Sequence, residues 1–399
     1  MKKYLVAVIA LLSAGGAFAQ WDIDGPSGIS GSVAVDLPLY QVYGKAEAGL
    51  QYTAPSVVTA AGAQTAVGKG TSAVNGYLFG SRWGLRGAKA FDVLGGTSAI
   101  YQFEAGFNLL TGQAAMCGGQ NVVSVNACST VTGQPGSTTS VQPDRIFSRQ
   151  AYAGFKSSTW GQVSLGRQYS PHDNALSLID PQILSTNSAM SLAWKLGGSS
   201  DGNGNGGRID NSLTYYSPDK YPVRAQLMWA SGANRTQTVG ASSYNSWDIR
   251  YVDGPWDLLI GAENLKSNGL VNANSTNGGP AGTGRNLLFG GSYRFEWIKP
   301  FIGFEHDKNA VGTKDTGWGT GIVTKIYNGY QAKVGYARET STTVAGVKTR
   351  SKYFSGQLIY MLDKSTYLYS GWVDGTNGAV VGLQKNKDRT ASVGFDYSF

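Results

Sequence analysis

The sequence predicts an all-β fold, a transmembrane antiparallel β-barrel of sixteen strands, and three observations carry that prediction. From Tyr40 onward, segments of about ten residues alternate apolar and polar side chains, which gives each strand one greasy face and one wet face. The breaks between them alternate short and long, the pattern of tight turns at one barrel end and large loops at the other. The composition agrees: 56 glycines, 15% charged residues and 12% aromatics make a chain poor in charge and rich in glycine and rings. A soluble domain carries about 25% charged residues and about 7% glycine. Disorder, collagen and a helical membrane protein are all excluded, since aromatics abound, the glycines keep no three-residue period, and no later run approaches the roughly 20 apolar residues of a spanning helix.

Taken in chain order, Lys2 and Lys3, the apolar stretch Leu5 to Leu12 and the pattern Ala17-Phe18-Ala19 form a secretory signal over residues 1–19. Its removal lowers the formal charge from +8 to +6, through the loss of those two lysines. Residues 20–39 form an extension whose Asp22, Asp24, Gly25, Pro26 and Gly28 discourage regular structure; it is either a periplasmic tail or, over Ser32 to Val35, an addition to the edge where the barrel closes. Residues 40–399 are the barrel. Strands start near Gln41, Tyr77, Thr97, Ile146, Gly161, Ile209, Pro222, Tyr244, Trp256, Arg285, Pro300, Tyr327, Ser351, Thr366 and Lys387. Two termini on the same side of the membrane require an even number, and Gly317 to Ile326 supplies the missing twelfth strand. A barrel of that size encloses an aqueous channel.

The alternation is clearest in the last strand, where Arg389, Ala391, Val393, Phe395, Tyr397 and Phe399 share one face. Soluble sandwiches alternate too. A lipid-facing barrel is favoured because the polar faces carry Arg, Lys, Asp and Glu together with Gly and Ser, because loop lengths alternate, and because aromatics cluster near strand ends. Tight breaks fall at 157–159, 219–221, 254–255 and 363–365; long ones fall at 111–142, 171–207 and 266–284.

Cys117 and Cys128 lie in one of the long breaks, and in an exported chain two nearby cysteines on one loop predict a disulfide. His172 and His306 stand far from them and outside ligand spacing, so no metal site and no cofactor are expected. Catalysis would require a positioned nucleophile and base, and neither histidine has a Ser or Asp partner in recognisable spacing. A secreted adhesin is disfavoured by the terminal aromatic strand and the alternating loops. Nothing indicates a nucleic-acid partner.

Several segments together resemble the Gram-negative general porins, especially the β-proteobacterial type. They are Ser81 to Gly87 (SRWGLRG), Tyr101 to Phe107 (YQFEAGF), Arg149 to Phe155 (RQAYAGF) followed by Gly166-Arg167-Gln168, Arg208 to Ser212 (RIDNS), and the terminal Phe399. The resemblance spans about Gln41 to Phe399, and the motifs keep the family's order. It implies a homotrimer in the outer membrane, each barrel having its own pore narrowed by the third external loop folding inward. It implies as partners outer-membrane lipid and lipopolysaccharide, and the barrel assembly machinery, which would read Phe395, Tyr397 and Phe399 as a signal.

A diffusion pore does no covalent chemistry, and its selectivity is set by charges at the narrowest ring. Strand parity sends Arg82 and Arg86 inward opposite Trp83 and Leu85, and likewise Glu104, Arg149 and Arg208. By resemblance, Arg82, Arg149 and Arg208 match the basic wall cluster of the constriction and Glu104 the carboxylate beside it. Arg167 shares a face with Val163 and Leu165 and belongs to the upper rim or the trimer contact. The facing loop holds Asp173 and Asp180, and then, from Pro181 to Ser200, only Lys195 as a charge. A ring short of acids predicts a channel for passive diffusion of small hydrophilic solutes and ions that prefers anions. The alternative is a substrate-specific channel for phosphate or organic anions.

Overall fold

The computed structural model describes residues 38–399 apart from 59–63, 67, 77, 79, 92–95, 113–145, 195–207, 232–242, 268–281, 327–328 and 381–384. Its strands are β1 (Gln41–Thr53), β2 (Ser56–Val58), β3 (Gln64–Ala66), β4 (Gly70–Val74), β5 (Arg82–Phe91), β6 (Thr97–Gly106), β7 (Gln150–Ser157), β8 (Gly161–Tyr169), β9 (Arg208–Tyr216) and β10 (Val223–Ser231). Then follow β11 (Ser243–Asp253), β12 (Trp256–Ser267), β13 (Gly282–Tyr293), β14 (Ile298–Lys308), β15 (Lys314–Lys325), β16 (Tyr330–Thr342), β17 (Lys348–Met361), β18 (Thr366–Val380) and β19 (Lys385–Ser398). Two helices, α1 (Pro171–Ile179) and α2 (Ala189–Ala193), lie between β8 and β9.

All strands form one antiparallel sheet, and β1 closes it by pairing with β19, Lys45 opposite Ser398 through Thr53 opposite Thr390. β4 and β5 both pair with β1 and make a single broken stave, while β2 and β3 extend the first hairpin above it. The result is a closed barrel of sixteen staves. Closure leaves no edge with unpaired backbone groups, the condition for a sheet to stand in lipid.

The turns show why the short connections are short. Between β11 and β12, Asp253 pairs with Trp256 and only Gly254 and Pro255 intervene. Gly254 takes φ 52°, and proline's fixed negative φ follows, the combination of a type II′ hairpin turn. Before β18, the Asp363 Oδ1 accepts the backbone N–H groups of Ser365 (2.7 Å) and Thr366 (2.8 Å), a side chain replacing a backbone turn.

The alternation holds around the wall. Trp229 is 55% exposed between Met228 (3%) and Ala230 (0%), and Phe395, Tyr397 and Phe399 all point outward. The weak twelfth strand is β15, which contains nearly all of the expected Gly317–Ile326 segment and begins earlier, at Lys314. Outward rings pair across strands in two belts. Trp256–Tyr293 and Tyr330–Tyr360 lie at the short-turn end, and Phe289–Phe304, Trp318–Tyr336 and Phe354–Trp372 lie toward the loop end.

Two expectations are corrected. The second stave is expected from near Tyr77, which lies outside the described residues; Leu78, Gly80 and Ser81 stand off the ladder, and β5 begins at Arg82. The cause is Glu47 on β1, whose buried carboxylate accepts the N–H groups of Leu78 (2.5 Å) and Gly80 (2.8 Å). In β9, strict parity sets Ile209 opposite Ser212, yet Ile209 is fully buried against the inward residues Met228, Ala230 and Tyr244. Asn211 adopts a left-handed φ of 54° and β8 bulges between Gly166 and Gln168, which shifts the alternation there.

Candidate functional site: the luminal arginine cluster

The cluster is assembled from one face of β1, β5 and β6 and from the loop-end residues of β7, β8 and β9. Glu104 is its centre. Arg149 Nε donates to Glu104 Oε1 at 2.6 Å, Arg82 Nη1 lies 4.0 Å from the same oxygen, and the Tyr43 hydroxyl donates to Oε2 at 3.0 Å. Tyr169 bridges the next pair: Arg149 Nη2 donates to its hydroxyl at 2.7 Å, and so does Arg208, whose guanidinium also lies 4.4 Å from the Tyr169 ring centroid. Arg82, Glu104, Arg149 and Arg208 are all buried. Three guanidinium groups thus share one carboxylate and one phenol, a net charge of about +2, since arginine keeps its proton in proteins.

Arg86 stands just outside, its Nε donating to Gln41 Oε1 at 2.9 Å and its guanidinium 4.7 Å from the Tyr43 ring. Arg167 stays out of the cluster and ties strand ends together. It pairs with Asp210 at 2.6 Å and donates to the Ser148 carbonyl at 3.0 Å. Tyr43, Tyr169 and Lys45, which pairs with Asp396 at 2.8 Å, belong to this wall and were not singled out from sequence. Parity would have found Tyr43 and Lys45; no sequence signal announces the β8 bulge that brings Tyr169 in.

The segment after β8 packs on the inward face of the opposite wall. Ser170 caps α1 by accepting the Asp173 N–H at 3.0 Å, and Pro171 occupies its first turn, where its missing N–H costs nothing. Ile179, Met190 and Trp194 join Leu259, Leu288, Ala337 and Tyr353 of the wall in one buried cluster. The wall is flattened to receive them: a Cβ at Gly319 would stand 2.7 Å from Met190 Cε, and one at Gly303 would strike Ile179. Polar pins complete the seat, among them Ala189 N–H to Ser355 Oγ (2.9 Å), Gln357 Nε2 to Ser185 Oγ (2.7 Å) and Asn174 Nδ2 to Gln226 Oε1 (3.0 Å).

The two acids of this segment differ. Asp173 sits near Arg208 and His172, and burial pushes its carboxyl up to about 6 against the pull of both. Asp180, 1% exposed, is turned into the segment's own bend and not toward the arginines. It accepts the N–H groups of Gln182 (3.0 Å) and Leu184 (2.8 Å) and the Ser188 hydroxyl. Lys195 lies outside the described residues, as do Cys117 and Cys128 with their expected disulfide. Sequence reading missed a buried acidic set on the inward faces of β12 and β14–β16: Glu263, Glu305, Asp307, Asp315 and Glu339. Parity exposes them, since Glu305 alternates with Phe304 and Glu339 with Arg338.

A Gram-negative porin family model matches residues 5–398. An outer membrane porin protein of Bordetella pertussis is 28% identical over 239 residues, 57% of this chain and 51% of that protein, so the match spans about half of the relative's length. Among solved structures, the anion-selective porin from Comamonas acidovorans has a TM-score of 0.63 at 19% identity, covering 90% of this chain and 99% of that one. The trimer form of OmpT from Vibrio cholerae has a TM-score of 0.55 at 12% identity, with coverages of 91% and 100%. At such identities the structural likeness speaks to the fold alone, and it is the family model, spanning nearly the whole chain, that decides the matter: this chain belongs to the Gram-negative porin family and is an integral β-barrel of the outer membrane.

Proposed function

We propose that the barrel is a passive diffusion channel for small hydrophilic solutes and ions, that the segment 170–194 narrows its pore, and that the arginine cluster gives it a preference for anions. The observation that carries the reading is the excess of guanidinium over carboxylate where Arg82, Arg149 and Arg208 meet Glu104. Two unit charges about 4 Å apart interact by about 1 kcal/mol in water and about 4 kcal/mol at an effective dielectric of 20. A narrow pore lies between these limits, so even a modest net charge shifts the anion/cation ratio severalfold, because about 1.4 kcal/mol is tenfold. The acids of β12 and β14–β16 pull the other way; they are as buried as the arginines and stand on a different wall.

The test is the reversal potential across a salt gradient in a planar bilayer, at about 0.1 M and again at about 1 M, where the Debye length falls from about 10 Å to about 3 Å. Anion preference at low salt that weakens at high salt is the expected result, and Arg82→Gln is expected to reduce it severalfold. A cation preference sinks the reading. Conductance that saturates with phosphate or one organic anion would establish the substrate-specific channel instead.

The assembly is proposed to be a homotrimer through the outward face of β5–β9, where Trp83, Phe155, Leu165 and Leu213 are exposed. The fold-level likeness to a trimeric barrel supports it. Unheated gel migration at three times the monomer mass is expected; a monomer-sized band would overturn it.

A further inference from the structure

Segment 170–194 is not alone in leaving the wall for the lumen. β1 pairs with β4 up to Gly49 opposite Val74, and with β5 from Lys45 opposite Arg82. An uninterrupted strand would set Leu78 opposite Lys45, so the stave carries four extra residues between its two halves. Asn75, Gly76, Leu78, Gly80 and Ser81 are described there, and all five are buried. A bulge of this size pointing outward would set bare backbone N–H groups in lipid. Here it points inward, where the Glu47 carboxylate accepts from Leu78 and Gly80. The Ser81 hydroxyl accepts the Glu47 N–H at 2.9 Å and donates to Asn75 Oδ1 at 2.9 Å. Gly76 and Gly80 reverse the chain with φ of 87° and 75°, a region glycine enters without the penalty a Cβ imposes.

The turn reaches across the inner wall. Leu78, 2% exposed, packs with Ile359 and Met361 of β17 and with Tyr367 and Tyr369 of β18, so its side chain extends past β19. Its carbonyl oxygen accepts the Thr186 N–H at 3.3 Å, and the Gly76 carbonyl accepts the Thr186 hydroxyl at 3.3 Å. Thr186 belongs to the bend of the pore segment, and the neighbouring Ser185 is fixed to Gln357, the inward position of β17 next to Ile359. Turn and bend therefore meet on one strand and make a continuous bar along the inner wall from β1 to β17. The turn ends at Arg82, which it delivers to within 4.0 Å of Glu104.

We infer that this turn is a second inserted element of the pore, and that Leu78, held by Glu47, is a positioning residue. It fixes the bend at Thr186 relative to the arginine wall and thereby sets the largest solute that passes. The warrant is the way each part is attached. The bend rests on β17 through side-chain pins, whereas the turn is anchored in the closed ladder at both ends, through Val74 and Arg82. A close-packed contact transmits that fixed position to the bend. The inference rests on the diffusion-channel reading and is independent of which ions the pore prefers.

Swelling of proteoliposomes in arabinose and in the tetrasaccharide stachyose tests it, with the rate ratio of the larger to the smaller sugar as readout. Leu78→Ala empties the seat against β17 and β18 and is expected to raise that ratio severalfold. Thr186→Val keeps the shape of the bend but loses its bond to Gly76, and is expected to shift the ratio the same way. The double variant is expected to fall short of the product of the two effects, because residues acting through one contact are not additive. Val323→Ala, a truncation at a similarly buried inward position that packs with Phe301, is expected to leave the ratio at the wild-type value. The inference fails if either single variant keeps the wild-type ratio, if the double variant shows the full product, or if Val323→Ala raises the ratio too, which would mean general loosening of the barrel. Wild-type vesicles that do not swell in arabinose would sink the diffusion channel itself, and this inference with it. Heat-modifiable gel mobility confirms that each variant is folded.

Discussion

At the residue scale, the two aspartates of the inserted segment illustrate how burial and partners separate one residue type into two roles. Asp180 is structural. Two residues in its bend, Ile183 and Leu184, both hold a φ of 53°, a left-handed backbone that costs a branched side chain about 1–2 kcal/mol each. The Asp180 carboxylate offsets this by accepting two backbone N–H groups and the Ser188 hydroxyl. Asp180→Ala leaves those donors buried without an acceptor, at about 1–3 kcal/mol each. Amide exchange is expected to speed up across residues 182–190 while the strands stay protected; unchanged exchange in the bend would refute the role. Asp173 is the titrating member. Because burial holds its carboxyl up near 6, it is charged at pH 7 and neutral at pH 5, and its loss of negative charge beside Arg208 makes the pore more positive. The anion/cation permeability ratio is expected to rise as pH falls from 7 to 5, and Asp173→Asn is expected to flatten that rise and to raise the ratio at pH 7. A ratio that falls on acidification would show that other groups govern the pore.

At the scale of elements, the seat of α1 and α2 depends on backbone left bare beneath them. Gly303 and Gly319 admit Ile179 and Met190 against the wall, and each apolar side chain so buried contributes about 1.5–3 kcal/mol to holding the segment down. Gly303→Val places a branched side chain where Ile179 lies, and overpacking of this kind costs about 1–3 kcal/mol. The wall is a closed ladder and the segment is not, so the segment yields. Larger single-channel conductance with noisier open current is expected, with an unchanged melting temperature; an unaltered conductance would mean that the segment does not bound the pore. The strands themselves were legible in the sequence because their period of two is imposed by lipid on one side and water on the other, as from Val223 to Leu227 and again in β19. The twelfth strand was harder, since β15 sets glycine at its inward positions 317, 319 and 321 and threonine at several outward ones, and Gly317 and Gly319 receive Trp194 and Met190. Parity failed where a local backbone event intervened: the left-handed Asn211 turns Ile209 inward, and Glu47 holds Leu78 and Gly80 off the ladder. The arginines were found from the same parity, but Tyr169, which joins two of them, depends on a bulge that has no sequence signature.

For the whole molecule, the decisive junction is where the first and last strands meet. β19 pairs with β1, and beyond its last ladder residue Phe399 exchanges two backbone hydrogen bonds with Gly44, at 2.9 and 3.0 Å, while its ring covers the glycine. Phe399 is 56% exposed on the lipid side, so deleting it removes two peripheral hydrogen bonds and part of one apolar contact. By the usual magnitudes that is a loss of about 1–3 kcal/mol, too little to prevent a closed barrel from forming once its strands are brought together. If Phe399 with Phe395 and Tyr397 is the signal read by the assembly machinery, the same deletion has a much larger effect in the cell. The two roles separate by comparing refolding into detergent with the amount of barrel reaching the outer membrane. Deletion of Phe399 is expected to refold almost normally in vitro yet to be strongly depleted from the membrane. Gly44→Leu, which crowds the Phe399 ring while keeping the terminal aromatics, is expected to do the reverse, lowering the melting temperature while leaving delivery intact. Normal membrane levels of the truncated chain would reduce Phe399 to a piece of the lipid-facing wall, and equal losses from both variants would assign its importance to closure alone.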